Sequence, residues 1–326
     1  MPVRLPGVAI FSCPKGWPVP MSYVFRRLIA AVPTLLILTF VIFMLQQVAP
    51  GDPTLLITGE IYTQEVYDRA RSRLGLDDPV MVQYANFLQR AVSGDLGDSL
   101  LYKRPVSELM VERLPKTLLL SGGALVVCYL IGLPLGIIAA VKRGTLADGL
   151  SMSVAGLGLA IPSFWLGIML MTLFSIRLGW LPATGSNDGW RSFVLPILTL
   201  GFIESAAAAR LLRSSMVQNL ASDYVRTARA KGLTNQKVIM RHAFRNALMP
   251  IVSILGLQLG TILTGAVVVE TVFAWPGLGK LLVDSILNKD FPVAQGVLLV
   301  IGTMIILFNL LADLTYRLVD PRVKLS

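Results

Sequence analysis

Long apolar runs separated by shorter polar ones set the pattern of this chain. Six runs, at 28–48, 118–141, 150–176, 193–212, 251–269 and 297–314, approach the length of a membrane-crossing helix, roughly 20 residues. They contain Pro33, Pro134, Pro162 and Pro196. A bilayer tolerates such prolines where neighbours satisfy the freed backbone groups. The spacing therefore predicts packing kinks more readily than hinges. Small residues at 205–209 predict a close helix crossing.

The polar intervals differ in length. Residues 49–116 form the longest, with helical patterns at 64–74, 80–91 and 106–113. Met81, Tyr84, Ala85 and Leu88 recur there at helical spacing. Asp52-Pro53 and Asp78-Pro79 mark turns, and Gly94-Asp-Leu-Gly97 marks a break. The reading is a first span at 21–49, then a small external cap at 50–113. Residues 179–192 carry Trp180 and Trp190, residues typical of a membrane interface. Residues 270–295 break at Pro276-Gly277 and then offer an amphipathic piece at 278–287, with Leu281, Leu282, Ile286 and Leu287 as its apolar residues.

A basic segment at 222–250, overlapping the expected coupling helices at 217–247, stands out. Arg226, Arg229, Lys231, Lys237, Arg241 and Arg245 face a single acid, Asp223. Two short helices fit, with Ser222 and Thr234 placed to cap them through their side-chain oxygens. Gly232 between them suits a left-handed helix end. Tyr224, Val225, Val238 and Ile239 form the expected apolar set. The prediction is a rigid knob facing water.

Composition agrees with a membrane protein. The 326 residues are 54% hydrophobic and 15% charged, against about a quarter charged in soluble domains. The net charge of +10 points to cytoplasmic loops rather than nucleic acid, because the cations are dispersed among apolar spans. With the N-terminus inside, Arg26, Arg27, Lys142, Arg143, the basic segment, Arg317, Arg322 and Lys324 all fall inside. The short outer loops hold only Arg177, Arg191, Lys280 and Lys289. Both termini and the knob are thus expected in the cytoplasm, with residues 315–326 as a cytoplasmic tail. Residues 1–20 read as a disordered tail or an over-extended start, with translation beginning at Met21. An intact native mass that includes residues 1–20 would refute the later start. Cys13 and Cys128 suggest no disulfide framework, and the lone His242 suggests no metal site.

Catalytic signatures are missing. Gly277-Leu278-Gly279-Lys280 lacks the first glycine and the hydroxyl of a phosphate-binding loop. There is no zinc motif or nucleophile elbow, so the chain is not expected to be an enzyme or to carry a cofactor. Glu204 is the ionisable residue well inside a span, ~9 Å before Arg210 at 1.5 Å per residue. It either lines a passage or pairs with a neighbouring basic group. Gln258 and Glu270 join it as tentative pathway residues. An ion-coupled carrier or a passive scaffold are the readings of another class. With no motor of its own, a basic helix pair is suited to receive force from a separate ATPase.

Asp223-Tyr-Val-Arg-Thr-Ala-Arg-Ala-Lys-Gly232-Leu, followed by Arg241-His-Ala-Phe-Arg-Asn-Ala-Leu-Met-Pro250, resembles the coupling loop of ABC importer permeases. More narrowly, it resembles the first permease of dipeptide, oligopeptide, nickel and glutathione importers. Ala49-Pro-Gly-Asp-Pro53, Gly94-Asp-Leu-Gly97, Leu178-Gly-Trp-Leu-Pro182, Glu270-Thr-Val-Phe-Ala-Trp-Pro-Gly-Leu-Gly279 and Val319-Asp-Pro-Arg322 extend the likeness from Met21 to the end. The general pattern E-A-A-x-x-x-G, then I-x-L-P, is met directly only at Ala228 and Gly232. Its acid is replaced at Arg226, and its proline at Arg245.

The resemblance implies an all-α membrane protein of six transmembrane helices, in the type I ABC importer fold, with its core at 114–314. It would be a multi-pass protein of the bacterial inner membrane. Asp223, Tyr224, Arg226, Thr227, Ala228, Arg229, Ala230, Lys231, Gly232, His242 and Asn246 would contact the ATPase. A second permease in a heterodimer, ABC ATPase subunits, an external solute-binding protein and the lipid bilayer are the implied partners. Di- or oligopeptides are the implied solute, with glutathione, nickel chelates or opines as alternatives.

Overall fold

The computed structural model describes residues 21–48, 54, 63–73 and 75–319, without the side chains of 21–28, 45, 46, 48, 73 and 313–319. The expectations for residues 1–20, the Asp52-Pro53 turn and residues 320–326 lie outside the described residues. Helix α1 is Met21–Val48, and its described apolar part is Ile29–Met44. The cap follows as α2, Gln64–Arg73, and α3, Val80–Ser93. Then come α4, Val106–Val141, α5, Leu146–Ala160, and α6, Ser163–Met171, which continues as a π-helical turn, Thr172–Arg177. Helix α7 is Arg191–Leu220 and α8 is Asp223–Ala230. Helix α9 begins at Asn235–Lys237 and runs through a π-helical turn, Val238–Phe244, into Arg245–Ala247. The rest is α10, Met249–Ser253, α11, Leu255–Val272, α12, Leu278–Leu287, and α13, Phe291–Val319.

Helices α4, α7, α11 and α13 are each long and apolar enough to cross a membrane, and α5 with α6, counted as one bent span, makes a fifth. With α1, these elements answer the six apolar runs. One of the runs differs from expectation. The run at 150–176 is not one rod, because α5 and α6 meet at 103°. Ile161 is extended (φ −92°, ψ 124°), the conformation that a following proline favours, so Pro162 breaks the helix. Pro134 and Pro196, by contrast, lie inside continuous helices.

The stretch 106–113, expected in the cap, is instead the first part of α4. The helix runs straight through the 113/114 boundary and through Pro115. An interior proline costs about 3 kcal/mol. Burial offsets it: Val106, Leu109 and Met110 pack with Leu278, Leu281, Val293 and Val297.

Helices α4 and α7 run parallel and in close contact, and small residues permit it. Ser205, Ala206, Ala208 and Ala209 are fully buried. A methyl group at Gly132 would lie 2.8 Å from the Ser205 carbonyl oxygen, and one at Gly136 2.8 Å from that of Ala209. The crossing expected at 205–209 is therefore present, and its other half is the Gly132/Gly136 pair.

In the cap, the Arg71 guanidinium donates to Asp77 at 2.6 Å and the Ser72 hydroxyl at 2.9 Å. The Arg71 hydrogen bond, then that of Ser72, holds the Asp77 carboxyl below the ordinary carboxylate range. The cap meets α1 through Tyr84 and Phe87, whose rings lie 5.4 and 6.2 Å from those of Phe40 and Phe43. Met81 and Ala85, expected on the packed face, are exposed.

Candidate functional site

The basic knob lies where α4 and α7 end. Its two helices are held by one apolar cluster in which Val225 and Val238 are fully buried, with Ala140, Leu212, Met216, Ala243 and Ala247 around them. Burying a valine contributes roughly 1.5–3 kcal/mol, so the pair is fixed on the helix bundle. Gly232 takes φ +77°. The Gly232 amide donates to Arg229 O at 2.9 Å and the Leu233 amide to Ala228 O at 3.4 Å, a Schellman end for α8.

Ser222 and Thr234 stand at the expected cap positions but do not cap through their side chains. The Ser222 hydroxyl donates to the Asn219 carbonyl at 2.5 Å, closing the preceding turn instead. Tyr224 is not part of the apolar set. It is exposed, and its hydroxyl donates to Asn219 Oδ1.

Asp223, Tyr224, Arg226, Thr227, Arg229, Ala230, Lys231, Gly232 and Asn246 are exposed together, as are Lys237, Arg241 and Arg245. Ala228 departs from this set: at 5% exposure it is a packing residue. His242 is half-buried, and its carbonyl accepts the Asn246 amide at 3.0 Å. The face is strongly cationic. Its one described ion pair, Arg226–Asp223 at 3.5 Å, is fully in solvent.

Sequence reasoning missed a tie above the knob. Arg213 on α7 forks onto Asp148 at the start of α5, with both hydrogen bonds at 2.7 Å. The Gly144 amide donates to the same carboxylate at 3.0 Å. A two-pronged arginine–carboxylate pair fixes geometry as well as charge. It fastens the α4–α5 turn to the helix that carries the knob. The partners are 65 positions apart, so no local pattern signals the pair.

The three pathway candidates separate. Glu204 on α7 is half-buried and accepts from the exposed Thr261 hydroxyl of α11 at 3.1 Å. It faces the outside of the bundle, alongside the exposed Leu257 and Thr264. Gln258 is not on that face. It is 4% exposed, accepts from Tyr129 at 2.7 Å and donates to Cys128 Sγ at 3.1 Å and Glu204 O at 3.2 Å.

Glu270 lines nothing either, since it is fully buried. Its carboxylate accepts the Thr117 hydroxyl at 2.6 Å and the Lys280 amide at 3.0 Å. Thr117 Oγ1 accepts the Leu278 amide at 2.8 Å. Gly277 leaves room for the carboxylate, because a methyl group there would collide with it, and one at Gly279 would stand 2.5 Å from Val267 Cα. Gln258 and Glu270 are thus internal fasteners: buried polar groups persist where hydrogen bonds satisfy them. The Glu270–Gly279 motif is legible as a loop folded over its own acid. Among the described residues no group of His, Cys, Asp and Glu could hold a metal ion.

Comparison with known proteins places this arrangement. Residues 132–325 match the model of the binding-protein-dependent transport system inner membrane component, and residues 21–121 match the N-terminal model of such membrane components. The glutathione transport system permease protein GsiC of Escherichia coli O6:H1 (strain CFT073) is 43% identical over 304 residues, 93% of this chain and 99% of the relative. GsiC of Salmonella typhimurium (strain LT2) is likewise 43% identical over 304 residues, with the same coverage. Among solved structures, the MetNI methionine ABC transporter in inward-facing conformations matches with a TM-score of 0.55 at 18% identity, over 64% of this chain and 95% of that one. An amino acid ABC transporter matches with a TM-score of 0.52 at 18% identity, over 65% and 94%. The chain belongs to the binding-protein-dependent transport system inner membrane component family, the non-catalytic multi-pass permease subunits of ABC importers.

Proposed function

We propose that this permease passes short peptides, with glutathione as the first candidate, through a path shared with a second, different permease. The GsiC relatives support the solute, because glutathione is a tripeptide and the likeness spans nearly the whole chain. ATPase subunits would grip the exposed face of α8 and the start of α9. Closure of the ATPase pair would then move α7 through the Val225/Val238 cluster. The observation that carries this reading is the cationic face itself: it is exposed on one side and fixed to α4 and α7 on the other. With the motor in the cytoplasm, both termini lie there too, and the cap lies outside. Glu204 is the pathway residue of this proposal, as a carboxylate on an exposed transmembrane face suits the ammonium group of a passing peptide.

Uptake of labelled glutathione and of a dipeptide, in cells lacking this gene and in cells with it restored, tests the solute. Loss of glutathione uptake alone in the deletion strain is expected. Unchanged uptake of both removes the peptide reading. Cysteine cross-linking from Lys231→Cys should capture an ATPase subunit, and no capture in any nucleotide state would sink the coupling.

A further inference from the structure

A surface turn at residues 98–105 is held far more firmly than a connecting loop requires. Asp98 and Pro105 pair across its base. The Ser99 amide donates to Arg104 O at 2.9 Å and the Lys103 amide to Ser99 O at 3.1 Å. Beneath it sits Asp290, between α12 and α13 and fully buried. Its carboxylate takes the Ser99 hydroxyl and the Leu100 and Leu101 amides, the amides at 3.1 and 3.2 Å. Ser99 Oγ accepts in turn from the Tyr102 amide at 2.8 Å. No cation neutralises Asp290 among the described ion pairs, so a buried carboxylate is committed to three neutral donors of one turn. Burying a charge is costly unless its hydrogen bonds are well made. Lys103 sits at φ +52°, a backbone conformation that costs a side-chain-bearing residue of order 1–3 kcal/mol and that clusters at recognition sites.

The tip so held is not covered. Leu101 is 40% and Tyr102 39% exposed. Lys103 projects beside them without a described ion pair. Arg104 is drawn back onto Glu112 at 2.6 Å and Glu108 at 3.2 Å. Arg104, Ser107, Glu108, Val111 and Glu112 rim a shallow depression of about 390 Å³ that adjoins the turn at Arg104. A tyrosine and a leucine on a turn whose backbone is fixed, beside a lysine without a described ion pair, make a recognition surface, since little backbone freedom is left to lose on binding. The surface lies at the Val106 end of α4, opposite the knob. It also falls within the 21–121 stretch that matches the N-terminal model of binding-protein-dependent systems.

We infer that the 98–105 turn, held by Asp290, is a docking surface for the external solute-binding protein, which would offer an apolar recess to Leu101 and Tyr102 and an acid to Lys103. This rests on the permease reading and on the cap lying outside. The test uses the assembled importer in lipid nanodiscs with its solute-loaded binding protein. Tyr102→Cys, in a Cys13→Ser background, should react with an impermeant maleimide, and saturating binding protein should slow that reaction at least tenfold. Tyr102→Asp should weaken binding-protein affinity at least tenfold per assembled complex. Val92→Asp, at a residue 83% exposed at the end of α3, should not. Unchanged labelling with binding protein bound, or undiminished affinity in Tyr102→Asp, overturns the proposal. So does a Tyr102→Cys that is already unreactive in the importer alone, which would mean that the second permease or lipid covers the turn. If the wild-type importer shows no ATP hydrolysis stimulated by any binding protein, the permease reading itself fails. Normal stimulation in Tyr102→Asp removes only this surface.

Discussion

Replacing Gly136 by alanine tests whether α4 and α7 are held together by backbone proximity. Two effects oppose each other. Alanine in place of glycine inside a helix gains up to about 1 kcal/mol of intrinsic preference. The added methyl would stand 2.8 Å from Ala209 O, 3.0 Å from Leu212 Cβ and 3.3 Å from Leu212 Cδ2. The nearest obstacle is backbone, which cannot rotate away, so α7 must move. Overpacking of this kind costs about 1–3 kcal/mol.

Gly122 supplies the control on the same helix, for a methyl there meets nothing within 4 Å. The preference gain is common to both sites and cancels in the comparison. Gly136→Ala should therefore be less stable than Gly122→Ala by about 1–3 kcal/mol. At about 2–4 °C per kcal/mol in domains of moderate size, that is a midpoint lower by roughly 2–12 °C. Thermal unfolding of the detergent-purified chain, followed by loss of the monodisperse peak, measures it. Gly132→Ala should behave alike, and the double variant should cost less than the sum, because one displacement of α7 relieves both contacts. A midpoint for Gly136→Ala at or above that of Gly122→Ala would refute the close crossing.

Other outcomes follow from the same geometry. Gly232→Ala meets no neighbour, so its cost is the left-handed backbone alone, about 1–2 kcal/mol; Gly232→Val should lose more uptake than Gly232→Ala in vesicles, and equal activity would contradict the Schellman end. Glu204→Gln should reduce uptake while leaving assembly normal, whereas unchanged uptake removes it from the pathway. Glu270→Ala strands the Lys280 amide and should lower the yield of folded protein several-fold. Glu204→Ala should not, and similar yields for the two would refute the fastening role of Glu270. The Asp77 carboxyl is held low in the folded cap, so its contribution is present above its unfolded value near 4 and fades as pH falls through the lower folded value. Limited proteolysis at 64–83 should therefore stay constant from pH 7 to pH 5 and rise only in stronger acid, and a rise already near pH 6 would count against the Arg71–Ser72 grip.

The apolar runs were readable because a bilayer imposes one length on every crossing helix. The knob was readable because its charge, its glycine and its two valines are neighbours in sequence. What stayed hidden depends on partners far apart in the chain. The 103° bend at Pro162 and the unbroken helix through Pro115 involve the same residue type, so the proline alone does not tell them apart. Glu270 looked like a passage residue for want of any sign that Thr117, some 150 positions away, supplies its hydrogen bond. Ser222 fits the capping rule by position, yet its hydroxyl turns back to Asn219. Asp290 carries no motif at all, and its importance depends wholly on the turn folded above it.

The length of α7 has a consequence of its own. Thirty residues at 1.5 Å each make a rod of ~45 Å, whereas the hydrocarbon layer is ~30 Å thick. Some 15 Å of unbroken helix is left over, enough to act as a mast that lifts the cationic pair beyond the lipid headgroups. A motor reaching for it would touch protein only, so transport by the whole importer should respond little to exchanging neutral for anionic phospholipid. Deleting a single helical turn after Arg213 would lower the mast into the headgroup layer and bring in that dependence.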